Sequence, residues 1–100
     1  KLSFIRKVIS SNHHISLIHF GDIDVGGFKI YYHLRKELNF PIDRKNMNIE
    51  TLIEYREFCK PLTKNDIIQL NNLKNEYPND SEIFMYMIEN NCKLEQEIID

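Results

Sequence analysis

Residues 19–27, reading HFGDIDVGG, constrain this chain more than any other stretch of it. An apolar run over residues 15–20 stops at Gly21, two aspartates follow at Asp22 and Asp24, and a glycine pair opens a segment of helical periodicity. Residues two apart on an extended strand end point to the same side, so Asp22 and Asp24 can converge on one point. Carboxylate oxygens are the preferred donors for hard cations such as Mg²⁺. Open α/β folds place their ligands at the C-terminal ends of parallel strands. The stretch therefore predicts a strand, a turn carrying a metal-binding pair, and a helix. The same pattern also suits an ordinary strand-to-helix turn in which one aspartate caps the helix.

One hundred residues suit a single domain, and no linker, repeat or low-complexity tract divides them. No run reaches the roughly 18 apolar residues needed to span a membrane, and no signal-peptide pattern is present. Cys59 and Cys92 match no zinc-ligand spacing. They read as buried thiols of a cytoplasmic protein, where disulfides are rare. The net charge of −2 hides an asymmetry: residues 1–45 carry a balance of +4, residues 46–100 one of −6. Basic charge around a carboxylate pair suits a phosphate-bearing substrate, although a mixed, solvated surface gives the same count.

Apolar residues at Leu2, Phe4, Ile5, Val8 and Ile9 predict an amphipathic helix over the first ten residues, followed by a polar turn over 10–14. Residues 15–20 read as a buried, central parallel strand with Leu17 and Ile18 in its middle. A helix from residue 26 or 27 to 38 carries Ile30, Leu34 and Leu38 on the stripe expected to face the core, with Phe28, Tyr31 and Tyr32 beside it. Phe40-Pro41 ends it, because the residue before proline avoids the α region. A short strand at 42–47 and a helix from 49 to about 58 follow. Thr63 and Asp66 form a capping box, with Asp in the usual Glu or Gln place. Behind it, Ile67, Leu70, Leu73 and Tyr77 mark another helix, residues 77–80 a turn, 82–89 a short helix, and 94–99 the start of a last one. Helix, strand and helix in succession predict an α/β layer, with a helical second half.

The segment IHFGDIDVGGFKIYYHLRKE, residues 18–37, resembles the signature of the Toprim domain, the catalytic fold of topoisomerases, bacterial-type primases and small nucleases. Within that group it is most similar to the C-terminal Toprim domain of the Wadjet defence nuclease subunit JetD, itself similar to the A subunit of topoisomerase VI. Met47-Asn48 before Thr51-Leu52, Leu62-Thr63, and the closing LEQE of residues 94–97 extend the similarity over about residues 15–100. The resemblance implies a Toprim-like parallel sheet flanked by helices and metal-dependent cleavage of a DNA phosphodiester. Asp22 and Asp24 are the implied Mg²⁺ or Mn²⁺ ligands and catalytic residues. Glu95 and Glu97 are further candidates, as ligands, as orienting groups, or as plain surface residues. Gly21 and Gly27 would let backbone and phosphate approach closely, and Lys29 is a candidate to meet a phosphate, with plain solvation one turn into a helix as the other reading. Double-stranded DNA and the subunits of a motor complex are the implied partners.

Three departures qualify the match. Relatives carry proline where this chain has Val25, and an acid where it has Asn48. Toprim sites also use a glutamate on an earlier strand, yet residues 1–14 hold no acid. That group is expected outside these 100 residues, which then form the later portion of a larger domain and are inactive alone. The other reading is a Toprim-shaped scaffold that no longer cuts. His13, His14 and His33 are expected at the surface. His19 is expected to pack or orient rather than ligate, and Tyr31, Tyr32, Tyr55 and Phe84 to form core or rim.

Overall fold

A computed structural model of the chain describes residues 2–11 and 15–99. The elements are α1 (Leu2–Ser11), β1 (Leu17–His19), α2 (Val25–Leu38), β2 (Ile42–Arg44), α3 (Ile49–Glu54), α4 (Lys64–Glu76) and α5 (Ser81–Asn90). Short 3₁₀ turns occupy Arg56–Phe58, Pro78–Asp80 and Gln96–Ile98. β1 and β2 pair in parallel, Leu17 opposite Ile42 and His19 opposite Arg44, with α2 as the crossover between them. The architecture is α/β, as the alternation of patterns predicts.

Local chemistry sets most boundaries. The Asp24 carboxylate accepts from the Gly27 N–H and starts α2. The helix ends where Asn39 takes a left-handed conformation, φ 46°, and its N–H donates to the Arg35 carbonyl. Asn48 caps α3, its Oδ1 accepting from the Thr51 N–H at 2.9 Å and from the Thr51 hydroxyl at 2.7 Å. Asn48 thus serves as a helix cap. Thr63 and Asp66 form the predicted capping box at the head of α4.

The core centres on Phe28, Phe84, Ile23, Leu52, Leu70, Met87 and Leu94, contributed by the turn before α2, by α2–α5 and by the segment after α5. Phe28 meets Phe84 edge-on, with ring centroids 4.9 Å apart. α4 and α5 pack together, and α2 lies against α4 and β2. Tyr31 donates its hydroxyl proton to the Ile42 carbonyl at 2.8 Å, tying α2 to β2. The Tyr32 hydroxyl donates to Asp80, which also accepts from Arg44 at 2.7 Å. The Arg44 guanidinium lies over the rings of Phe28 and Tyr31.

The structure corrects several expectations. The buried face of α2 is Gly27, Phe28, Tyr31 and Tyr32 rather than the aliphatic stripe; Leu34 and Leu38 pack at its margin and Ile30 is 56 % exposed. The aromatics bring more area to the core, and both tyrosine hydroxyls find partners there. β1 is shorter than the apolar run and is not central: the sheet has two strands among the described residues, and Ile18 is 64 % exposed. One face of so short a strand is left without cover. β2 ends at Arg44, and the helix after Ile49 gives way to a 3₁₀ turn.

Residues 94–99 do not open a helix. Leu94 exchanges two backbone hydrogen bonds with Ile23, at 2.8 and 3.1 Å, before the turn at Gln96–Ile98. Burial of Leu94 and that pairing outweigh the local helical pattern. α1 forms as predicted, yet none of its described residues is buried, and it reaches α2 through an exposed Arg6–Glu37 ion pair. Ser10 and Ser11 belong to α1; the rest of the expected turn, with His13 and His14, lies outside the described residues.

Candidate functional site

The aspartate motif leaves the C-terminal end of β1 and enters α2, so alternation along the extended chain decides where each side chain goes. Ile23 points inward and is fully buried, while Asp22 and Asp24 on either side of it remain partly exposed. Burial of Ile23 and its pairing with Leu94 fix the segment. The two carboxylates line one hollow of about 320 Å³, together with His19, Gly21, Gly27, Ile30 and Gln96.

Each carboxylate is held by a backbone donor. Asp24 Oδ1 accepts from the Gly27 N–H at 2.7 Å. It therefore does cap α2, as the plainer reading of the motif has it, while also lining the hollow. Asp22 Oδ1 accepts from the Gln96 N–H at 2.7 Å, across 74 residues of sequence. Neither aspartate has a cation within ion-pairing distance among the described residues. Burial pushes the Asp24 carboxyl above its ordinary pKa; the Gly27 hydrogen bond opposes that shift and the neighbouring Asp22 adds to it.

The glycines serve close approach. A Cβ on Gly27 would fall 1.9 Å from the Asp22 carbonyl oxygen, so the first turn of α2 packs on the motif backbone only because residue 27 lacks a side chain. A Cβ on Gly21 would meet His19 Nε2 at 2.6 Å. The His19 ring is folded against that glycine, and its Nε2 is enclosed with no hydrogen-bond partner among the described residues. Burial lowers the His19 pKa from its ordinary value, an effect partly offset by a hydrogen bond with the Gly27 backbone. The ring sits between Gly21 and Gly27 and lines the aspartate hollow.

The other sequence candidates are placed elsewhere. Glu95 is bound by Lys60, Nζ to Oε1 2.6 Å, which holds its carboxyl below the ordinary range. Neither Glu95 nor Glu97 lines the hollow. No three His, Cys, Asp or Glu side chains among the described residues are placed to hold a metal ion together. Lys29 is exposed, hydrogen-bonds Gln69 Oε1 at 3.0 Å, and lies on a neighbouring face of α2. His33 is exposed, as expected.

Gln96 is the contributor that pattern reading misses. The LEQE segment draws attention through its two glutamates, yet the residue between them reaches the site, through its backbone N–H. A main-chain donor carries no side-chain signature. Cys59 and Cys92 are free thiols, Cys92 buried, and burial pushes both upward, Cys92 to about 11. No helix among the described residues is long and apolar enough to cross a membrane.

The family model described as "Wadjet protein JetD, C-terminal" matches residues 2–100. No curated protein and no solved structure matches the chain. The match runs through the aspartate motif, both strands, every helix and the strap that carries Gln96. The chain belongs to the family of the C-terminal portion of the Wadjet protein JetD, a defence-related nuclease component.

Proposed function

We propose that this domain is the Toprim module through which a Wadjet-type nuclease cleaves a DNA phosphodiester, with Asp22 and Asp24 holding Mg²⁺ or Mn²⁺. One observation carries the reading. Two carboxylates are presented side by side in one hollow, each oriented by a main-chain donor and neither neutralised by a cation among the described residues. Such a pair is electrostatically costly unless something positive joins it. Hard oxygen donors fit a Mg²⁺-class ion. When bound, that ion would polarise a phosphoryl oxygen and lower the pKa of an attacking water.

The chain's own residues do the positioning. Gln96 and Gly27 aim the carboxylates, Gly27 keeps side-chain bulk off the Asp22 backbone, and Gly21 leaves room for the His19 ring. With two acidic donors the ion is expected to bind weakly. Addition of Mn²⁺ to the isotopically labelled chain should broaden the NMR signals of residues 21–27 and 96 first. Broadening centred on the acidic second half, with residues 21–27 untouched, would remove the metal assignment.

Double-stranded DNA and the subunits of a motor complex inside the cell are the partners this reading entails. Its direct test is plasmid nicking by the whole protein with Mn²⁺. Nicking should be lost in the Asp22→Ala, Asp24→Ala double variant, and activity that survives the pair of substitutions would refute the mechanism. That no three His, Cys, Asp or Glu side chains among the described residues are grouped to hold an ion together favours a second reading, a scaffold that has kept the shape without the chemistry. A native protein that never nicks, assayed with its partner subunits, would establish that alternative.

A further inference from the structure

Beside the aspartate hollow, α2 and α4 enclose a basic groove that the cleavage chemistry does not use. It consists of two adjoining hollows. One, of about 190 Å³, is lined by Lys29, Tyr32, His33, Lys36, Leu73, Glu76 and Tyr77. The other, of about 310 Å³, is lined by Tyr32, Arg35, Lys36 and Tyr77. Tyr32, Lys36 and Tyr77 are common to both, so the trough is continuous. Its floor is rigid: the rings of Tyr32 and Tyr77 stack 3.6 Å apart, 3° from parallel. Its rim carries Lys29, Arg35 and Lys36, all exposed, with exposed His33 between them. Glu76 is the acid among the lining residues, and it is engaged by a hydrogen bond with Tyr77. The neighbouring Glu37 is paired with Arg6.

Position on the helix connects this groove to the aspartates. Asp24 caps α2, and Gly27 and Ile30 line the aspartate hollow. At roughly 100° per residue, His33 lies about 60° around the helix from Ile30, so the two concavities adjoin. Along the axis, at roughly 1.5 Å per residue, Lys29 is about 7.5 Å and Lys36 about 18 Å beyond Asp24. Along the axis of a B-form duplex the second distance is about five base-pair steps at ~3.4 Å each; along one strand's backbone, where successive phosphates lie roughly twice as far apart, it is about three phosphates. Cations set at such intervals along a groove match a phosphodiester backbone, which offers one negative charge per step.

Resting on the DNA-cleavage reading above, we infer that the α2–α4 groove is the track for the DNA strand flanking the scissile phosphate, its backbone neutralised by Lys29, Arg35 and Lys36. The stacked tyrosines form the floor over which that backbone runs. Three phosphate contacts bind weakly at physiological salt and more tightly as salt falls, which makes the track measurable in this chain by itself.

The test is fluorescence anisotropy with a labelled 20-base-pair duplex in EDTA, between roughly 20 and 100 mM salt, where counterion release dominates binding. Each phosphate contact contributes about 0.9 to the slope of log K against log salt, so three contacts give a slope near −2.7. The Lys29→Gln, Lys36→Gln variant should bring it to about −0.9. A charge-matched control, Lys7→Gln with Lys64→Gln, removes two exposed lysines away from the groove and should leave the slope unchanged. Equal losses in both variants, no loss in the first, or no measurable binding of the unmodified chain at low salt would overturn the inference. All four side chains are exposed, and circular-dichroism melting confirms that both variants fold. Because EDTA removes any metal, the outcome is independent of nicking: survival of activity without Asp22 and Asp24 defeats the cleavage reading, and an unchanged slope defeats the groove.

Discussion

Phe28→Ala should destabilise the domain by about 3–5 kcal/mol, the range found when a large aromatic is removed from a packed core. Phe28 is fully buried, meets Phe84 edge-on, and carries the Arg44 guanidinium over its ring. Truncation would open a cavity where α2, α5 and β2 come together, and would take away the surface on which Arg44 rests. Small domains have about 5–15 kcal/mol in total, so much of the margin would go. Ile30→Ala, two residues along the same helix, should change stability by no more than about 0.5 kcal/mol, because that side chain already faces solvent. Urea unfolding followed by circular dichroism measures both. Equal costs would show that the buried face of α2 has been misassigned.

Gly27→Ala and Gly26→Ala should move stability in opposite directions although the residues are neighbours. The added methyl at position 27 would overlap the Asp22 carbonyl oxygen at 1.9 Å. Backbone cannot swing aside as a side chain can, so the first turn of α2 must lift from the motif. That movement also breaks the Gly27 N–H bond to Asp24. Overpacking of this kind costs about 1–3 kcal/mol and loss of a cap about 1 kcal/mol, for a combined loss of roughly 2–4 kcal/mol. At position 26 the nearest atom to an added Cβ is Asp24 Oδ1 at 3.5 Å, an ordinary contact. There alanine should stabilise by about 0.4–1 kcal/mol through the entropy of the unfolded chain. Thermal melts of the two variants separate the cases. A Gly27→Ala protein as stable as the native one, with its Gln96 amide signal unmoved, would mean that the close approach is not needed.

The chain's local order was legible because it depends on neighbours in sequence. The Thr63–Asp66 capping box is written in four consecutive residues. The step from β1 through the aspartates to α2 is announced by Gly21, by the two-residue alternation of Asp22, Ile23 and Asp24, and by the periodicity that follows. The candidate pair itself follows from that alternation: burying Ile23 leaves both carboxylates on the other side. Composition also indicated a basic first half, though not the groove that gathers three of its cations.

What required the tertiary structure was every choice between surfaces of similar apolarity. On α2, Ile30, Leu34 and Leu38 make as good a stripe on paper as Phe28, Tyr31 and Tyr32. The aromatic face won because Phe84 meets Phe28 edge-on and because Ile42 and Asp80 accept the tyrosine hydroxyls. Those partners lie 11 to 56 residues away, beyond the reach of any periodicity. The same holds for residues 94–99, whose helical pattern yields to a backbone pairing with Ile23. Glu95 pairs with Lys60 outside the hollow, and Gln96 reaches Asp22 through an amide that every residue except proline possesses. Sequence by itself determined the element order and the aspartate pair, since both arise from short-range sterics and alternation. Which faces are buried, and what holds Asp22, was decided only by the folded chain, where burial and hydrogen bonding over long sequence separations outweigh local preference.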